Sequence, residues 1–366
     1  MYLKYSWINL KFIACIESLR LKPIVLYVGF LFVLLTRAQA QVGGKSSFHL
    51  FNLPGNAHQA ALGGTNISTF DRDINMVWQN PALLRDTMKE QLSVSYIPFY
   101  AAIKGGSVSY AHKFKKVGTL AMGIQYVNFG SMTERDETGA ELNTFTPQDI
   151  ALQVAKSHNI GLFTLGSTFK YVYSTLAPTY NSHAVMLDVA GIFRHPTRDF
   201  TIGMAFKNVG FAIKNYSEGA SAKAPMDIQL GTSYKLEHIP VRLSLTAHHL
   251  YKFDIVYQDT SFNKKYDLNG DEIVQKKSFG DKVLRHFVIS TEVLLSKSLH
   301  ARLAYNFQRR REMRLEDRAG TSGFSWGFLI RIKSFQLDYA RSYYHLSGGK
   351  NWLTLTVDMN RLIGKN

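Results

Sequence analysis

From about residue 91 to the C-terminus, apolar and polar residues alternate in segments of roughly ten. In GFSWGFLIRI, an extended chain puts Phe324, Trp326, Phe328, Ile330 and Ile332 on one face and Gly323, Ser325 and Arg331 on the other. LTLTVDM sets Leu353, Leu355, Val357 and Met359 against Thr354, Thr356 and Asp358, and IQLGTSY and LAMGIQY repeat the pattern. The alternation predicts strands near 91–98, 103–113, 117–129, 147–157, 160–173, 183–194, 199–209, 225–236, 240–251, 284–297, 299–310, 322–333, 334–345 and 351–360. That is fourteen, an even number. Every second connection is a tight turn (FKKV, HN, HPTRD, EHI, KS, KS), whereas the others are mostly long, the longest running from about Lys252 to Val283.

Short turns at one end and long loops at the other are the asymmetry of a closed outer-membrane barrel. A soluble β-sandwich would need polar outer faces. Here the outward set is Phe, Trp, Leu, Ile and Met over many strands, which water would not tolerate. The expected fold class is therefore all-β, a 14-stranded antiparallel transmembrane β-barrel over 91–366, closed because lipid leaves no partner for an open edge.

Residues 1–40 read as a signal peptide. Lys4, Lys11, Arg20 and Lys22 precede the apolar run IVLYVGFLFVLL, which is too short to span a bilayer as a helix, and Ala38 and Ala40 supply an A-x-A site ahead of Gln41. The alternatives, a retained anchor or a lipoprotein signal ending at Cys15, fit less well: the better apolar run follows Cys15. Cys15 is the chain's one cysteine, so the exported part holds neither a disulfide nor a thiolate metal site. The formal net charge of +16 stays strongly basic after the signal is removed. For an exported protein the counter-charges are anionic lipid headgroups or acidic sugars in place of nucleic acid.

Residues 41–90 do not alternate. Asn80 suits an N-cap and Pro81 the first helical position, so NPALL predicts a short helix, and Gly63 and Gly64 supply a turn with positive φ. Phe48, Leu50, Phe51, Leu53, Leu62 and Trp78 make this stretch too apolar for a solvated tail, and fourteen strands enclose more room than side chains fill. A hatch or plug inside the lumen meets both requirements.

QVGGKSSFHLFNLPGNAHQAALGGTNIS followed by DRDINMVWQNPALL resembles the start of the PorQ family of outer-membrane proteins, with PorV and the FadL transporters as wider relatives that carry a similar Asn-Pro-Ala turn. The resemblance continues through GIQYVNFG, YDLNGDE and RHFVIS. It implies a component of the type IX secretion system in a Bacteroidetes-type outer membrane. Such a component tethers a PorZ-like surface protein beside a PorU-like protease and PorV, where secreted cargo is joined to lipopolysaccharide. The resemblance to FadL implies the alternative, transport of hydrophobic small molecules.

Four motifs bear on chemistry. GFSWG matches the G-x-S-x-G nucleophile elbow, but Ser325 lies within a strand and faces the lumen, where small residues make room for a plug. In DLNGDE, Asp267, Asn269 and Asp271 resemble the first half of a Ca²⁺ loop. Glu272 and Ser278 stand where that loop needs Gly and Glu, so a polar turn explains it better. Arg309, Arg310, Arg311 and Arg314 in RRREMRLEDR are candidate contacts for lipopolysaccharide phosphates or an acidic partner, against a solvated rim balanced by Glu312, Glu316 and Asp317. His248 and His249 alternate along a strand and so point to opposite faces, unable to share a metal. Without a P-loop, a dinucleotide fingerprint or an H-E-x-x-H pair, the chain is expected to be no enzyme and to need no cofactor.

Overall fold

A computed structural model describes residues 46–99, 102–219, 221–256, 265–266, 272–273, 278–313, 320–345 and 348–363. The expected signal peptide of residues 1–40, Asp267, Asn269 and Asp271 of the candidate Ca²⁺ loop, and Arg314 lie outside the described residues. Fourteen strands form one closed barrel: β1 (Gln91–Pro98), β2 (Lys104–Phe114), β3 (Gly118–Asn128), β4 (Gln148–Ile160), β5 (Phe163–Ala177), β6 (Tyr180–Arg194) and β7 (Phe200–Lys214). The circuit continues with β8 (Asp227–Lys235), β9 (Val241–Ala247), β10 (Phe287–Val293), β11 (Leu299–Asn306), β12 (Phe324–Ile332), β13 (Phe335–His345) and β14 (Gly348–Asp358). Each strand pairs antiparallel with the next, and β14 returns to β1 through Gln91↔Asp358 to Tyr96↔Leu353. No edge of this barrel is left open.

Alternation sets which side chains meet lipid. In β3 buried and exposed positions alternate from Thr119 onward, and in β12 Phe324, Trp326 and Ile330 are exposed while Ser325 and Leu329 are buried. Every strand exposes large apolar residues on its outer face, such as Val94, Phe169, Leu245 and Leu355, which together make the lipid-facing belt of an outer-membrane barrel. The inner face carries Ser93, Ser95, Gln125, Gln153, Thr168, Ser244 and Thr356. One end of the barrel has short turns, such as 161–162 and 333–334. The other has long connections, one of which carries a separate hairpin of Met132–Arg135 with Glu141–Phe145.

Three strands are markedly shorter than alternation predicts. β9 stops at Ala247, β10 covers only Phe287–Val293 of the predicted 284–297, and β11 stops at Asn306, whose side chain accepts from the Arg309 N–H at 2.9 Å and caps the helix Phe307–Glu312. Conversely β5, β6 and β7 each run to 15 residues and reach past the belt at the long-loop end.

Residues 46–90 lie in the lumen. Their hydrogen bonds reach wall side chains on opposite sides of the ring: Thr354 and Thr356 of β14, Ser109 of β2, Gln125 of β3, Thr201 of β7, Asn306 of β11 and Ser342 of β13. A helical turn, α1 (Ala57–Ala61), is capped by Asn56 and fully buried. NPALL forms a 3-10 turn, Pro81–Leu83. The Asn80 carboxamide accepts from the Ala82 N–H at 2.9 Å and donates to the Ile67 carbonyl at 2.8 Å, so one side chain both caps the turn and ties it to the preceding loop. This turn presses on β5 where Gly166 faces inward, and a Cβ there would overlap the Pro81–Ala82 peptide. Gly123 of β3 makes the same room for the Trp78 indole.

Substituting Gly166→Val should displace the NPALL turn while leaving the outer belt intact, at a cost of about 1–3 kcal/mol for overpacking. Limited proteolysis of the folded, heat-modifiable barrel should then cleave within 46–90 where the wild type resists. Equal protection would show that the turn does not need this contact.

Candidate functional site: a charged clamp between plug and wall

α1 carries His58 into the centre of a buried charge network. Its Nδ1 lies 2.6 Å from Asp73 Oδ2, and its Nε2 lies 3.5 Å from Glu292 Oε1 and 3.7 Å from Asp71 Oδ2. On the wall, Glu292 of β10 accepts from Arg302 Nε of β11 at 3.0 Å and from Arg242 Nη1 of β9 at 2.9 Å. Arg302 also donates to Asp338 of β13 at 2.6 Å. The register explains these contacts, because Arg242↔Glu292 and Glu292↔Arg302 are direct cross-strand partners facing inward. Burial favours a neutral imidazole and the Arg302 guanidinium reinforces it, but Asp71, Asp73 and Glu292 outweigh both and raise the His58 pKa to about 10. At neutral pH the plug therefore presents a cation to a wall carboxylate held by two arginines.

These groups occupy the half of the lumen nearer the short turns. Toward the long loops the interface turns apolar: Phe48 and Leu50 pack with Val127, Val172 and Met186, and Phe51, Leu53 and Tyr216 complete the cluster. Between the two halves, Lys170 of β5 is buried against Asp188 of β6 at 2.6 Å and donates to Asn208 of β7 at 2.7 Å, with the Phe51 ring 4.8 Å away. Asn208 has φ 53 at a register shift in the β6–β7 pair. A recess lined by Gln59, Trp78, Gln125, Lys170 and Lys207 measures about 30 Å³, room for about two waters.

The sequence-derived site residues fall as follows. Gly63 and Gly64 have φ of 83° and 92°, and the Gly63 carbonyl accepts from Asn306 at 3.1 Å and from Arg309 at 3.2 Å. Arg309 is not a rim group aimed at lipopolysaccharide: it turns inward, lies 3.9 Å over the Tyr344 ring and reaches Ser325 Oγ at 3.3 Å. The cause is the switch from strand to helix at Asn306, which rotates the side chain toward the plug. Arg310 donates to the Gly320 carbonyl, and Arg311 is exposed and pairs with Asp281 at 2.9 Å. Ser325 is fully buried within β12, with no strand-to-helix turn to expose it.

His248 and His249 do not point to opposite faces of a strand. The strand ends at Ala247 and His249 adopts φ 56°, so the two rings lie 4.7 Å apart, and both gather at Asp227. Sequence reading missed His58, Asp73, Glu292, Arg302 and Asp338 altogether. The one available signal was charge at inward positions of otherwise Ser- and Thr-lined strands.

No family model and no curated protein matches the sequence. Among solved structures the chain is similar to the toluene transporter TbuX of Ralstonia pickettii, at 12% identity and TM-score 0.45 over 84% of this chain and 98% of that one. The CymD monoaromatic hydrocarbon channel matches at 11% identity and TM-score 0.45, over 85% and 97%. A FadL homologue from Pseudomonas aeruginosa matches at 12% and 0.40, over 83% and 98%.

Removing one member of the clamp leaves buried charge unpaired. Arg302→Met should lower the unfolding free energy by about 3–5 kcal/mol, and adding Glu292→Gln and Asp338→Asn should restore part of the loss. Urea unfolding of the detergent-solubilised barrel measures both. A loss below about 1 kcal/mol would mean that the network does not hold the plug.

Proposed function

We propose that this chain is a non-enzymatic, sealed outer-membrane barrel that serves as a surface anchor, its long-loop end holding a soluble partner protein. The observation that carries this reading is the clamp. A plug bound by a buried imidazolium, two arginines and four carboxylates, and hydrogen-bonded to strands all round the ring, is built to stay in place. With the lumen closed, what the barrel offers the cell is its outside surface. Following the sequence resemblance, the partner is a PorZ-like component of the type IX attachment complex, with a PorU-like protease and PorV nearby and lipopolysaccharide as the surrounding lipid.

A second reading is a FadL-like transporter of hydrophobic small molecules. The solved neighbours are a toluene transporter and a monoaromatic hydrocarbon channel, which favours this reading over secretion. Its place in this chain would be the apolar cluster at the long-loop end. That space is filled by the chain's own Phe48 and Leu50, both buried, which a passing molecule would have to displace.

Cross-linking in intact cells followed by purification separates the two. The anchor reading expects a stoichiometric soluble surface protein, and unchanged uptake of aromatic hydrocarbons when the gene is deleted. Recovery of the barrel alone, with bound hydrophobic molecules and an uptake defect on deletion, would replace it with the transporter.

A further inference from the structure

We propose that Asp227, His248 and His249 form a binding site for a zinc-class divalent cation at the long-loop rim of the barrel. Asp227 is the first paired residue of β8 and the two histidines follow the last residue of β9, so all three stand at the long-loop end of the wall, at the root of the connection 248–286. One ligand atom from each lies within 4.8 Å of the other two. Asp227 Oδ1 and His249 Nδ1 are 3.3 Å apart. This is the edge of a tetrahedron whose metal–ligand bonds are about 2.0–2.1 Å.

Two features favour a cation over a plain ion pair. First, His248 Nε2 is buried and has no hydrogen-bond partner among the described residues, and His248 as a whole is only 4% exposed. Leaving such an atom unpaired costs about 1–3 kcal/mol, which a metal bond would remove. Second, the carboxylate is already oriented. Oδ2 accepts from Gln229 Nε2 at 2.6 Å and Oδ1 from the His249 N–H at 2.6 Å, the outer support that metal-binding carboxylates have. The left-handed φ of 56° at His249 brings the consecutive imidazoles to one side, at some cost in backbone strain for a residue with a Cβ.

Two imidazoles and one carboxylate suit zinc and neighbouring borderline metals better than calcium or magnesium, which take oxygen ligands. Three protein ligands leave a fourth position for water or for a group from a partner. The His248 N–H donates to the His286 carbonyl at 2.9 Å, and His286 Nδ1 lies 2.8 Å from the His248 carbonyl. A cation here would therefore fix both ends of the longest outside loop to the wall.

The test is calorimetric titration of the purified, EDTA-stripped full-length barrel in detergent with zinc chloride, backed by metal analysis after gel filtration. The wild type should take up one zinc per chain. Asp227→Asn and His248→Gln should each weaken binding by about 100-fold or more, beyond the 10–100-fold that loss of an outer support costs. His238→Gln, an exposed histidine in a short turn at the opposite end, should change nothing. Heat-modifiable gel migration confirms that each variant is folded. Should a variant fail to assemble, the visible spectrum of the Co²⁺-loaded wild type decides, with tetrahedral bands expected. Absence of zinc uptake by the wild type, undiminished uptake by folded variants, or a Co²⁺ spectrum without tetrahedral bands would each overturn the proposal.

Discussion

Backbone hydrogen bonding in a solvent without water governs this fold. Each N–H and C=O of a lipid-facing strand must find a partner in a neighbouring strand, and the closing contact between β1 and β14 meets that demand for the last two edges. Closure with fourteen strands then creates a second demand, because the enclosed space exceeds what inward side chains fill. Residues 46–90 answer it from within the same chain. The inward glycines, serines and threonines follow from the plug as much as from the barrel: small residues where its backbone comes close, hydroxyls where its carbonyls and amides need partners.

The lumen is divided between two kinds of adhesion. Near the short turns, a charge network joins His58, Asp71 and Asp73 of the plug to three consecutively paired wall strands, β9, β10 and β11, and to β13 beyond them. Near the long loops, Phe48 and Leu50 fill an apolar pocket. Apolar contact is forgiving of small displacements, whereas a buried ion network is not, since any shift exposes an unpaired charge to a poor solvent. The charged half therefore sets the plug's position, and the apolar half supplies contact area.

The strands were legible because their cause is local. Alternation along ten residues reflects lipid on one side and lumen on the other, and every predicted strand appears, with ends altered by a few residues. The exceptions also have local causes. Asn306 carries a side chain that caps the following turn, a helix signal that alternation through Phe307 concealed. At Ala247 the strand was read on through His248 and His249, where the backbone instead turns left-handed. The clamp was illegible for a different reason. His58 meets Glu292, and Ala57 meets Thr354 at a separation of 297 residues, so no period or motif in the sequence links them. A single inward Glu or Arg in a Ser- and Thr-lined strand reads as a lone charge until register supplies its partner.

That clamp also limits what could pass. A ligand shifts a conformational equilibrium only by its differential affinity for the two states. A small apolar molecule of about seven heavy atoms, at the ceiling of about 1.5 kcal/mol per atom reached by the best tiny ligands, supplies at most about 10 kcal/mol. Withdrawing the plug would separate the His58 imidazolium from Glu292 and break hydrogen bonds to at least six strands, each buried group left unpaired costing about 1–3 kcal/mol. Ejection of the plug by such a molecule is therefore unfavourable. Any path through this barrel would have to run past a seated plug, by local rearrangement of the Phe48 and Leu50 cluster, while the charged half stays closed.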